Sequence, residues 1–122
     1  MPWEARAVPA PDRDYVAVVT YLPMRRVLAL PRWFGSIRAV QKQLERTPGL
    51  VGYSLRLNPL RLEFWTLSLW EDEHSLGDFL RELPHADVMR RFGSKLSRFG
   101  TRQWTIAGSQ APPSWQDGLS RF

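Results

Sequence analysis

Residues 50–70 read LVGYSLRLNPLRLEFWTLSLW, and the fold follows from how they alternate. Over Leu50 to Leu57, Val51, Tyr53, Leu55 and Leu57 fall on one face of an extended chain, with Gly52, Ser54 and Arg56 on the other. Asn58-Pro59 turns the chain. From Arg61 to Trp70 a second run puts Leu62, Phe64, Thr66, Ser68 and Trp70 on one side and Glu63, Trp65, Leu67 and Leu69 on the other. Two alternating runs joined by a short turn predict an antiparallel hairpin.

The flanking segments place this hairpin in a larger sheet. Upstream, Asp14 to Leu22 carries Tyr15, Ala17, Val19 and Tyr21 on one face and Val16, Val18, Thr20 and Leu22 on the other. Both faces are largely apolar, so this strand is predicted to be covered on both sides. Between it and the hairpin, Pro31 suits the first turn of a helix, and Trp33, Ile37, Val40 and Leu44 recur at helical spacing until Thr47-Pro48-Gly49 stops it.

Downstream, Asp72 can cap a second helix through Leu76, Phe79, Leu80 and Leu83, with Ser75 an alternative cap. Pro84 interrupts this pattern, and it resumes from His85 to about Leu96 through Val88, Met89 and Phe92, weakened by Gly93 and Gly100. A last strand, Thr101 to Ala107, has Trp104 and Ile106 on one face.

The resulting order, βαββαβ, predicts an α+β ferredoxin-like domain: a four-stranded antiparallel sheet with helices on one face. The domain spans residues 14–107. Residues 1–13, with Pro2, Pro9 and Pro11, read as an extended arm whose anchor is Trp3, and residues 108–122, with Pro112-Pro113-Ser114-Trp115, as a tail.

Composition narrows the chemistry. The chain has 122 residues, 43% of them apolar, which is enough for one core. Fifteen Arg and two Lys against twelve acidic residues give a formal charge of +5, which permits an anionic partner. The longest basic runs are the pairs Arg25-Arg26 and Arg90-Arg91, not the block of a nucleic-acid tail, so no nucleic-acid partner is expected. Without cysteine there is no disulfide, thiolate metal site or cysteine nucleophile, and two histidines are too few for a His-rich metal site. No run approaches the ~18 apolar residues of a membrane span, and no signal peptide is evident, so a cytoplasmic protein is expected. GxGxxG, phosphate-loop, GxSxG and HExxH motifs are all lacking.

Helices on one face of a four-stranded sheet leave the other face to be covered. Several strands are apolar on both faces, and six Trp with six Phe exceed what one helix layer buries. A second copy of the chain is the simplest cover, so a homodimer is predicted, packed sheet against sheet, with the arm and the Trp115 tail free to reach across.

Thr47-Pro-Gly-Leu-Val-Gly-Tyr53, then Phe64-Trp-Thr-Leu-Ser-Leu-Trp70-Glu-Asp-Glu73 and Leu83-Pro-His85, resemble the antibiotic biosynthesis monooxygenase family of dimeric α/β barrels, over about Asp14 to Ala107. The resemblance implies a pocket between sheet and helices in each protomer. It further implies a monooxygenase-like activity on an aromatic, quinol or polyketide-type substrate, in which an electron-rich phenol or hydroquinone reacts directly with oxygen, without metal or flavin. The wider superfamily also holds heme-degrading enzymes, isomerases and stress proteins, so fold alone leaves the activity open.

His85 follows Pro84 where the second helix breaks, and matches a Pro-His pair frequent among relatives at this place. Its imidazole, with a reference pKa of about 6.5, suits a base taking a phenolic proton; the alternative is a capping or surface histidine. His74, beside Glu71, Asp72 and Glu73, reads as an exposed residue at a helix start. Where the family often has another helix-two histidine, this chain reads Gly77-Asp78-Phe79. Tyr53, Trp65 and Trp70 offer aromatic walls for a flat apolar or aromatic ligand, Tyr21 and Tyr53 offer hydroxyl anchors, and Arg56 offers a fork for an acidic substrate. These aromatics could equally be core or dimer contact. Heme is the alternative cofactor: an ungapped count from Trp70 puts Phe79 and Met89 where heme-degrading relatives carry Trp and His, though a shifted alignment would bring His85 to the ligand position. The remaining alternative is a ligand-binding or stress-response dimer without activity.

Overall fold

A computed structural model describes residues 3–23, 33–58, 60–61, 63–81 and 100–122. Its elements in chain order are β1 (Glu4–Ala5), β2 (Asp14–Pro23), α1 (Trp33–Arg46), β3 (Leu50–Asn58), β4 (Glu63–Trp70), α2 (Glu73–Arg81), β5 (Gly100–Ala107), a 3-10 turn (Gly108–Gln110) and α3 (Trp115–Ser120). Pro31, the pairs Arg25-Arg26 and Arg90-Arg91, His85 and the predicted helical stretch to Leu96 lie outside the described residues.

The strands form one antiparallel sheet ordered β1-β3-β4-β2-β5. The predicted α+β ferredoxin-like fold is therefore present, with a fifth strand added: the arm contributes β1 to the edge of β3, Glu4 opposite Tyr53 and Ala5 opposite Gly52. The hairpin forms with Arg56 opposite Trp65 and Ser54 opposite Leu67.

The hairpin departs from simple alternation at its start. Leu50 pairs with Trp70 while Gly52 pairs with Leu69, so Val51 is an extra residue in β3. That bulge turns Val51 to the face of Gly52, away from Tyr53, correcting the expected grouping of Val51 with Tyr53 and Leu55. Leu50 and Tyr53 pack with Val18, Leu44, Trp70, Leu76 and Phe79 on the helix side, whereas Val51 packs with Tyr15, Ala17, Leu69 and Ile106 on the other.

The turn after α1 locks the layers together. Thr47 donates its hydroxyl to the Gln43 carbonyl at 2.6 Å, closing the helix. Gly49 then takes φ +85°, a conformation that favours glycine. Its carbonyl accepts from the Glu71 amide at 2.8 Å, holding the start of β3 against the end of β4. Asp72 caps α2 as predicted, its Oδ1 accepting from the Ser75 amide at 2.7 Å.

The face away from the helices is covered by the chain itself. Trp3 lies on Gly52, where an added Cβ would come within 2.5 Å of the indole. The arm continues to Ala10, whose amide donates to the Tyr15 hydroxyl at 2.8 Å. From the other end, residues 108–122 fold back over β2 and β4 as α3. Its N-cap is Ser114, which accepts from the Asp117 amide at 3.0 Å. The predicted need for a second copy as cover is thus met by arm and tail, because fifteen residues read as a free extension contain a short helix with one apolar side.

Candidate functional site

The register divides the sequence-predicted binding residues between the two faces of the sheet. Tyr53 and Trp70 stand on the helix face, buried to 3% and 1% exposure. Tyr21, Trp65 and Arg56 stand on the tail face, in one row across β2, β4 and β3. The five do not meet in a single pocket.

On the helix face Trp70 ends β4 and meets Phe79 of α2, ring centroids 5.2 Å apart and tilted by 38°. Its indole N–H donates to Ser68 Oγ at 2.9 Å. Gln43 of α1, buried among apolar neighbours, donates its side-chain amide to the Phe79 carbonyl at 3.0 Å and so ties α1 to α2. Val18, Leu44, Leu50 and Leu76 complete the packing. The layer is aromatic and apolar, with the Tyr53 phenol as a polar group within it. In the described residues this layer is filled by the chain's own side chains.

On the tail face Tyr21 and Trp65 serve the chain's own end. Their rings lie 4.6 Å apart, and Phe122 meets Trp65 edge-on at 5.3 Å and Tyr21 at 6.5 Å. The Arg102 guanidinium lies 4.6 Å from the Phe122 ring centroid and that of Arg121 lies 4.1 Å from the Trp104 centroid. The Trp104 indole nitrogen is buried without a hydrogen-bond acceptor. Trp115 donates its indole N–H to the buried Ser54 hydroxyl at 3.0 Å. Trp115, Gly118 and Phe122 are contact residues that sequence reasoning missed. The signal was the Ser114-Trp-Gln-Asp117 spacing, which announces a helix start.

The charged residues are surface pairs. His74, on an exposed turn of α2, places Nε2 3.2 Å from Asp78 Oδ2, and Arg81 reaches Asp78 Oδ1 at 2.7 Å. The Asp72 carboxyl is held below the ordinary carboxylate range, first by the Ser75 backbone hydrogen bond, then by the Ser75 hydroxyl. Among the described residues no three His, Asp or Glu side chains are grouped to hold a metal ion, and no helix is long and apolar enough to cross a membrane.

No protein-family model matches the sequence, and no curated protein does. Solved structures do. A dimeric ferredoxin-like protein of unknown function from Thermobifida fusca superposes with a TM-score of 0.62 at 11% identity, covering 77% of this chain and 92% of its own. A variant of SnoaB, a cofactor-independent oxygenase from Streptomyces nogalater, superposes with a TM-score of 0.55 at 17% identity, over 82% of this chain and 98% of its own. A Nitrosomonas europaea protein, provisionally named an antibiotic biosynthesis monooxygenase, gives 0.62 at 10% identity over 84% and 96%. The chain has the antibiotic biosynthesis monooxygenase-like fold.

Proposed function

We propose that the chain is a cytoplasmic, monooxygenase-like enzyme oxidising an aromatic, quinol or polyketide-type substrate without metal or flavin, and that it works as a homodimer. The observation that carries the reading is the fold held in common with a cofactor-independent oxygenase over nearly all of that protein. The aromatic layer of Tyr53, Trp70 and Phe79 beneath α1 and α2 supports it, and the dimeric Thermobifida fusca neighbour supports self-association.

In this reading a phenolic ring lies against Trp70 with its hydroxyl anchored by Tyr53, and the His85 imidazole takes the phenolic proton. The resulting phenolate is electron-rich enough to reduce oxygen. One oxygen atom replaces a ring C–H para to the hydroxyl and becomes the second quinone carbonyl; the other leaves as water with the two hydrogens the substrate gives up. The substrate supplies all four electrons that dioxygen takes up, so no outside reductant enters the balance. Arg56, Tyr21 and Trp65, being on the other face, stand outside this pocket in the tail-docked protomer.

The test is oxygen uptake with a panel of phenols and reduced polycyclic phenols, each with a free ring position para to a hydroxyl. His85→Ala should cut turnover at least about tenfold, the usual weight of a general base being larger still, while leaving the native mass unchanged. Equal turnover would remove His85 from the mechanism, and no uptake with any panel member would remove the enzymatic reading.

A further inference from the structure

We propose that residues 108–122 plug the face through which this chain associates with a second copy of itself, so that the docked tail and the dimer exclude each other. The inference rests on the self-association proposed above and adds what controls it.

Of the two sheet faces, one is filled by α1 and α2, which leaves the tail face for a second sheet. The tail lies along the middle of it. A Cβ built on Gly118 would sit 3.5 Å from Leu67 Cδ1 and 3.6 Å from Val19 Cβ, so the α3 backbone rests directly on β2 and β4. Face-to-face sheets pack about 10 Å apart, and a helix with its side chains is itself about 10 Å thick. Helix and second sheet cannot share that strip.

The hold on the tail is local. It includes the Trp115–Ser54 hydrogen bond, the Phe122 ring on Trp65 and Tyr21, Arg121 over Trp104, and Arg102, which lies over Phe122 and donates from Nε to the Arg121 carbonyl at 3.2 Å. At six residues α3 is too short to stay helical alone, so undocking and unwinding are one event. That event bares Val19 and Leu67, exposed to 0% and 1% with the tail in place, next to Ala17 and Leu69. A second copy offers the same apolar strip, and a two-fold axis makes the strip its own complement.

The chain has no cysteine, which makes a direct test available. Val19→Cys with Gly118→Cys places the two Cβ atoms at the 3.6 Å above, within the range of about 3.5–4.5 Å found in disulfides. Oxidised and reduced forms are compared by sedimentation over a concentration series. A loosened variant, Trp115→Ala with Phe122→Ala, is run beside them, and a non-reducing gel shows whether the disulfide is within one chain. The oxidised form should stay monomeric at every concentration and the reduced form should dimerise. Since both copies must release their tails, docking weakened tenfold should tighten the apparent dimer constant by up to about a hundredfold in the loosened variant. An intrachain-locked protein that dimerises as well as its reduced form overturns the plug and leaves self-association standing. Disulfides between chains overturn it too, because the tail would then seat on the partner. Wild type and loosened variant both remaining monomeric removes the plug together with the dimer.

Discussion

Gly49→Ala tests the junction on which the layers are assembled. Two separate costs fall on it. The residue sits at φ +85°, where a Cβ costs about 1 kcal/mol. The new Cβ would also overlap both Oγ and Cβ of Ser75. The hydroxyl can rotate away, but the Ser75 Cβ moves only with the first turn of α2, and forcing a methyl into such a contact costs about 2 kcal/mol. The sum is about 3 kcal/mol, which at a urea m-value of about 1.5 kcal/mol/M lowers the unfolding midpoint by about 2 M. Tryptophan fluorescence reads the transition, since Trp70 lies beneath α2. Ser75→Gly separates the two costs: in that background Gly49→Ala should lose only the backbone part, giving a coupling of about 2 kcal/mol. A loss under about 1 kcal/mol for Gly49→Ala alone, or no coupling to position 75, would refute the argument.

Two further perturbations follow from the same geometry. The Asp72 carboxyl, held low by Ser75, contributes stability that is full above the ordinary carboxylate range and lost as pH falls through its depressed value. The urea midpoints of wild type and Asp72→Ala should therefore differ at neutral pH, begin to approach each other below about pH 4 and converge only as pH falls through the depressed value; a gap that does not narrow as the pH falls below about 4 would assign the effect to something other than the charged cap. Leu69→Ala, at a fully buried site on central β4, should cost about 2–5 kcal/mol, measured as a fall in Tm, and a change under about 1 kcal/mol would mean the covered face is looser than the structure has it.

The hairpin and its flanking strands were legible because period-two alternation is a local signal. Alternation within one strand does not say which faces of two strands coincide, so the sequence groups Tyr21, Trp65 and Arg56 with Tyr53 and Trp70, and only the pairing register sets them on opposite faces. What alternation did not reveal was the bulge at Val51, since a one-residue slip depends on pairing with β4, not on any residue's identity. The arm's strand is two residues long, too short to show a period, and it exists because the edge of β3 has backbone groups to pair. The Trp115 helix was obscured by Pro112-Pro113 before it and by its own brevity, although its cap spacing was visible. The pairing of aromatic residues with function was the least legible part. A tryptophan looks the same in sequence whether it walls a pocket, as Trp70 does in the proposed reading, or seats the chain's own end, as Trp65 does.

The position of α3 on strands made long before it sets an order of events during synthesis. Val19 and Leu67 leave the ribosome well ahead of Gly118, and β2 gains its second neighbour only when β5, nearly eighty residues or more downstream along the pair, has followed. Until the tail arrives, the growing chain carries a bare apolar strip in a crowded solution. The interval between making β4 and making residues 115–120 is therefore one in which this strip lacks the helix that covers it.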